Sequence, residues 1–410
     1  WTLITNGIKS TYYTRVIRSD KKREGLLYSG TEWGMYISFD DGNSWKPFQL
    51  NLPITSIRDL KIKDNDLIVA THGRSFWIID DLTPLHQLND DVLFSESYLY
   101  KPDISYRIQQ SGGWGRSNNL LNGVNHPNGV IINYTLKKFN ENDYVKIDII
   151  DNNNNLIRSF TNNKEKLLSS LEKPVLSNTN DIEYALSGNN IKSLSPKSGG
   201  NKLIWDMRYP GFKSFDGMIL YSSPNVGPKA VPGTYKVRLT YNNEVMLQDF
   251  EILKDPRLSN TQNDYLEQFN FLISVRDQVS ISNQTIINIR KIKKDLQYII
   301  DKSSDKKQLL SLINEFSDKL SIIENKIHMT KNQSRQDPLN YGIRINNRLA
   351  FLMADSQRGD FPPTDQSIEF FNVIKEELNY ELASFNKVLN TYVSQINNMI
   401  EDNNIKFISF

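Results

Sequence analysis

The 410-residue chain contains no cysteine, which removes disulfide frameworks, thiolate metal sites and thiol nucleophiles at once. Histidine is nearly as scarce. His72, His86, His126 and His328 are the whole complement, too few and too scattered for an imidazole-rich metal centre. No stretch approaches the roughly 20 consecutive apolar residues that a membrane-spanning helix needs. An excess of one charge is also lacking: 49 Lys+Arg stand against 47 Asp+Glu, so composition supplies no general attraction to nucleic acid or an anionic membrane. The amino terminus, "WTLITNGIKS", has neither an initiating Met nor a signal peptide and reads as processed or truncated. Freedom from cysteine fits an envelope or exported protein that does without disulfides, and fits a cytosolic one equally.

What is present divides by period. A single core seldom grows past about 250 residues, so two or three domains are expected. Over residues 1–90, short strands such as "TRVIRSD", "GMYISFD", "DLIVATH" and "SFWIIDDL" recur about every ten residues between polar turns, the pattern of antiparallel all-β structure. About four such strands fill roughly 40 residues, the period of a propeller blade. Residues 91–127 read as a linker. Over 128–255, "GVIINYTLKK", "DYVKIDIID", "NKLIWDMRYP" and "GTYKVRLTY" alternate in the manner of an immunoglobulin- or fibronectin-like β-sandwich, interrupted by a Ser-, Asn- and Lys-rich insertion at 162–200. From 256 to 410 the apolar period changes to three and four. Phe371, Ile374, Leu378, Leu382, Phe385, Leu389, Val393, Ile396 and Ile400 form one helical stripe, and Leu272, Val275, Val279, Ile286 and Ile289 belong to another. An antiparallel helical bundle is the expectation there.

The densest motif is Ser38-Phe39-Asp40-Asp41-Gly42-Asn43-Ser44-Trp45, an Asp-box. Asp40 accepts backbone N–H groups across a turn, Gly42 permits a positive φ, and Trp45 plugs the space between layers with its indole N–H satisfied. Ser38, Asp40, Gly42, Ser44 and Trp45 are therefore assigned an architectural role, because a turn that uses its Asp and Gly for geometry leaves no reactive group spare.

"GLLYSGTEWGMYISFDDGNSWKPFQLNLP" followed by "DLIVATHGRSFWIIDDLTPL" resembles the end of the propeller in bacterial sortilin-like Asp-box repeat proteins, often labelled glycosyl hydrolases because sialidases carry the same repeat. The likeness continues through "NKLIWDMRYPG", "GPKAVPGTYKVRLTYNNE" and "PPTDQSIEFFNVIKEEL". It implies an exported protein: the last blades of a propeller, an immunoglobulin-like domain and a helical tail, mainly β and then α. It also implies further blades before residue 1, with Trp1 to Ile4 as the outer strand of one of them.

A second motif, "THGRSFWIIDD", places His72, Arg74, Asp80 and Asp81 close in sequence, either as a ligand-facing cluster of acid, base and anion binder or as a Gly73 turn with a structural Arg74–Asp80 ion pair. "SGGWGRSNN", around Trp114, lacks the Lys-Ser/Thr ending of a phosphate loop and reads as a connector. Asn133, Asn283 and Asn332 match the N-glycosylation pattern by chance in so Asn-rich a chain. No cofactor is expected beyond a structural calcium on exposed turn oxygens such as those of "DNNNN". The favoured function is an exported, non-catalytic binding or scaffold protein taking protein, peptide or glycan ligands, with the remaining blades as partner. The alternatives are a sialidase-like hydrolase whose catalytic groups lie on other blades, and an accessory subunit of a cell-envelope assembly.

Overall fold

The computed structural model describes residues 1–108, 126–169, 192–303 and 305–402. Its first part is an antiparallel four-stranded sheet in chain order, β1 (Thr14–Ser19), β2 (Leu27–Thr31), β3 (Gly34–Ser38) and β4 (Lys46–Pro47), followed by a three-stranded one, β5 (Ile57–Lys63), β6 (Asp66–Thr71) and β7 (Phe76–Ile79). The two sheets share a core in which Val16, Tyr28 and Ile37 meet Ile57, Leu60, Leu67 and Val69. They approach closely at Gly30, where an added Cβ would stand 2.5 Å from the Ile57 side chain. The opposite face of the first sheet carries Leu27, Tyr36 and Trp45, covered by Ile8 and Tyr12 of the entering segment. Trp1 to Ile4, expected as a strand, form none. A strand needs a ladder partner, and no described strand borders this segment.

Two short helices, α1 (Thr83–Gln87) and α2 (Asp90–Phe94), lead to β8 (Ser97–Leu99) and β9 (Ser105–Arg107). The second β region contains β10 (Val130–Leu136), β11 (Val145–Ile150), β12 (Leu156–Thr161), α3 (Lys164–Ser169), β13 (Lys192–Ser193), β14 (Gly199–Trp205), β15 (Gly233–Tyr241) and β16 (Glu244–Lys254). The strands make a three-stranded sheet, β14-β10-β8, and a six-stranded one, β13-β12-β11-β15-β16-β9. Alternation sends Ile132 and Leu136 from one sheet and Ile147, Ile149, Val237 and Leu239 from the other into a common core around Trp205. Trp205 meets Tyr235 and Phe250 edge-on. The stretch read as a linker thus supplies one strand to each sheet. At three residues apiece, β8 and β9 are too short for alternation to reveal them.

The helical part holds α4 (Gln262–Lys302), α5 (Lys307–Ile327), α6 (Pro338–Tyr341), α7 (Ile345–Asp355) and α8 (Asp365–Asp402). α4 starts at a capping box in which Thr261 and Asp264 satisfy each other's backbone N–H. The predicted stripes form its core, with Val275, Ile286 and Ile289 packed among Ile313, Phe316, Leu349, Ile374 and Phe385. Residues 209–228, between β14 and β15, enter this core as well: Phe212 is buried in it, and Phe215, Met218 and Leu220 pack against it. Polar bonds hold the loop down. Asn283 donates to the Lys213 carbonyl at 2.6 Å, and Asn347 both accepts from Tyr221 N (2.8 Å) and donates to Tyr221 O (3.0 Å). Among the described residues no helix is long and apolar enough to cross a membrane.

His328 closes this corner. It is 3% exposed, edge-on to Phe215, and within 3.2 Å of Asn346 Nδ2 through Nδ1. Burial, reinforced by the nearby Arg290 guanidinium, pulls its pKa down to about 4. The folded state therefore holds it neutral, while the unfolded chain takes up a proton as pH falls below the usual value near 6.5. Stability should be untouched above about pH 7.5 and drop by about 2 kcal/mol between there and about pH 5 from this group alone. Urea titrations followed at the helical circular dichroism band measure it, and His328→Gln should flatten the loss.

Candidate functional site

The Asp-box forms the corner between β3 and β4. Asp40 Oδ1 accepts from Ser38 Oγ at 2.7 Å and Ser44 N at 2.9 Å, while Oδ2 accepts from Ser44 Oγ at 2.6 Å. Ser38 Oγ also accepts from Gly42 N. The bonds donated by Ser44, through its hydroxyl and then its amide, hold the Asp40 carboxyl below its ordinary range. Gly42 has φ +88° and Asp41 joins it in the left-handed region at 58°. An added Cβ on Gly42 would meet Ile4 at 2.8 Å. Trp45 is buried, donating Nε1–H to the Ile4 carbonyl at 2.8 Å and its backbone N–H to that of Asn6 at 2.8 Å. The corner thus clamps the entering segment, and both carboxylate oxygens of Asp40 are taken by its own turn.

The second motif is split by its own strand. His72 and Arg74 lie in the β6–β7 turn, and Asp80 and Asp81 follow β7 at its other end. Ser75 and the four residues of β7 separate the two pairs, and the strand alone spans roughly 13 Å. Gly73 turns the chain at φ +76°, and His72 Nδ1 lies 2.7 Å from Arg58 Nη2. Arg74 supplies backbone only: its N–H donates to Thr71 Oγ1 and its carbonyl accepts from Trp77 Nε1. The four residues do not converge, and neither the cluster nor an Arg74–Asp80 pair is formed. Asp81 is a brace instead. It accepts from Asn65 (3.0 Å) and Thr83 N (2.9 Å) on one oxygen and from Asn133 of β10 (2.8 Å) on the other, joining the first β region to the second. Asn133 is 8% exposed and Asn283 fully buried, so neither is open to glycosylation.

Asp80 lines an acidic cleft of about 350 Å³ with Asp64, Asp66, Asp81 and Asp103. Burial and then the Asp80 charge raise the pKa of Asp66. The register explains the proximity: Leu67 pairs with Ile79, so Asp66 and Asp80 face each other one step further on. Among the described residues no group of three or more His, Asp or Glu is arranged to hold a metal ion. In the "DNNNN" turn the Asp151 carboxylate accepts from Asn153 N, Asn155 N and Asn155 Nδ2. The "SGGWGRSNN" segment with Trp114 lies outside the described residues.

A site with no sequence signature lies where the second β region meets the helices. Arg107 of β9, 3% exposed, donates Nε and Nη2 to Asp360 Oδ1 (3.1 and 2.8 Å), Nη2 to Gln268 Oε1 (2.8 Å) and Nη1 to the Ala230 carbonyl (3.0 Å). Its guanidinium also lies over the Tyr265 ring. Asp360 is 5% exposed, and its Oδ2 has no partner among the described residues. This pair walls a cavity of about 210 Å³ with Asp206, Arg208 and Lys229. Asp206 and Arg208 also line a larger cleft of about 920 Å³ with Arg158 and Lys192. Arg107 and Asp360 are 253 residues apart, so only a spatial arrangement reveals them.

No family model, curated protein or solved structure matches this chain.

Because the turn alone occupies Asp40, Asp40→Ala should lower stability by about 1–3 kcal/mol and leave ligand affinity of the folded protein unchanged. Thermal melts beside a binding titration separate the two, and lost binding at an unchanged melting temperature would contradict the architectural role.

Proposed function

We propose that the chain belongs to an exported, non-catalytic binding or scaffold protein of the sortilin-like Asp-box kind. On this reading residues 1–90 are blades of a propeller, 128–255 an immunoglobulin-like domain and 256–410 a helical bundle, and the partner of the first region is further blades of the same design. The observation that carries it is the outer face of the second sheet. Ile68 pairs with Ile78 and Ala70 with Phe76, so the four side chains line one face. Phe76 is 77% exposed and Ile78 56%, while the inner face of the same sheet is sealed against the first. A sheet apolar on both faces is built to be covered on both. The packing of the first sheet on the second is the pattern by which a further blade would cover it.

A hydrolase is the second reading, and the Asp66–Asp80 juxtaposition favours it: two facing carboxylates, one with a raised pKa, are the raw material of glycoside hydrolysis. The binding reading expects Asp66→Asn to change acid titration only; the hydrolytic one expects it to abolish turnover of a sialoside or other glycoside.

Hydroxyl-radical footprinting of the protein isolated from its source tests the favoured reading. Phe76 and Ile78 should be protected there and heavily labelled in the 410-residue chain alone. Equal labelling in both preparations would leave the outer face uncovered and contradict it.

A further inference from the structure

The chain neutralises most of its buried guanidinium groups. Arg107 has Asp360 and Arg276 has Asp277. The cleft between the second β region and the 209–228 loop breaks this habit. Among the described residues Arg158, on β12 and 6% exposed, makes one hydrogen bond, from Nη2 to the Tyr209 carbonyl at 3.0 Å, and its Nε makes none. Arg208 donates from Nη1 to the Gly227 carbonyl (2.7 Å) and to Gln357 Oε1 (2.9 Å), both neutral acceptors. Lys229, which lines the adjoining 210 Å³ cavity, donates to the Ile108 carbonyl at 3.2 Å. Among the described residues none of these three cations forms an ion pair. Of the two carboxylates that line the cleft, Asp206 lies 3.7 Å from Lys192 and Asp216 is solvent-exposed.

The electrostatics agree with the geometry. Burial lowers the pKa of Arg158. It also lowers that of Arg208, which Asp206 pulls back up and the charges of Arg107 and Arg158 push down again. Cations held together in a partly desolvated wall, with neutral acceptors in place of carboxylates, disfavour the empty protein and favour whatever brings negative charge. The cleft has room for it. Its volume, about 920 Å³, lies in the range of organic-ligand sites. Phe215 and Met218 add an apolar wall to the basic one. A guanidinium fork is shaped for an oxyanion with two coplanar oxygens.

We propose that this cleft binds an organic oxyanion, whose carboxylate, sulfate or phosphate group sits between Arg158 and Arg208 and whose body lies on Phe215 and Met218. The cleft is remote in sequence from the Asp-box, so this proposal and the propeller reading can fail separately.

Calorimetric titration of the full chain at low ionic strength with glucuronate, inorganic phosphate and glucose tests it. Saturable one-to-one binding of glucuronate or phosphate, with none of glucose, is expected, and whichever binds assigns the head group as carboxylate or phosphate. Arg158→Met and Arg208→Met should each weaken binding about tenfold or more. Arg158→Met should melt no lower than the parent, because it removes a buried charge that has no ion-pair partner among the described residues. Should Arg208→Met fail to fold, Lys192→Gln, at a half-exposed position on the rim, should still weaken binding by about two- to fivefold. Absence of saturable heat from both oxyanions, glucose binding as well as glucuronate, or parental affinity in Arg158→Met would overturn the proposal.

Discussion

A guanidinium cannot shed its proton at any ordinary pH, so one buried as deeply as Arg107 must be surrounded by acceptors before the chain can close over it. Those acceptors come from three separate parts of the chain: Ala230 ahead of β15, Gln268 on α4, and Asp360 between α7 and α8. Gln268 in turn donates to the carbonyls of Ser356 and Gly359, which fixes the segment that carries Asp360. Removing one partner of such a pair typically costs about 3–5 kcal/mol, since the other is left charged and unpaired. The parallel pairing of β9 with β16 and the seating of α4 are therefore specified together. The helices are not an appendage on the β part; the loop carrying Phe212, Phe215 and Tyr221 binds the two a second time.

The same seam explains why charge in this protein is informative in places and silent as a total. A net charge of +2 over 410 residues favours no partner class. Locally, Arg107 has a carboxylate, while Arg158, Arg208 and Lys229 have carbonyls and a glutamine. The first arrangement is structural. The second leaves charge uncompensated beside a cleft of ligand size. Where the second β region borders the first, the sign reverses, with five Asp residues around the 350 Å³ cleft and Asp81 spent on bracing Asn133.

What could be read in advance follows from how local each feature is. The Asp-box closes on itself within eight residues, so residue types alone define its hydrogen bonds. The helical stripes were legible because the apolar period is a property of consecutive turns, and α4 and α8 lie where that period places them. β8 and β9 escaped notice because three residues carry no period, and their pairing partners lie 35 or more residues away. His72, Arg74, Asp80 and Asp81 illustrate the opposite error: nearness along a strand is not nearness in space, and β7 carries the two pairs apart. Arg107 and Asp360 belong to no motif. Any hint of them lay in the helix-stopping "FPPTDQS", which begins one residue after Asp360 and ends the loop that presents it.

The central claim, that the buried Arg107–Asp360 pair makes the second β region and the helices one cooperative unit, is tested most directly by native-state hydrogen exchange read by mass spectrometry on the parent and on Asp360→Asn. Peptides from β11, β15, α4 and α7 should share one opening free energy, and the substitution should lower it for all of them by a similar amount. Helical peptides that open at a free energy of their own, unmoved by Asp360→Asn while the β peptides shift, would contradict it.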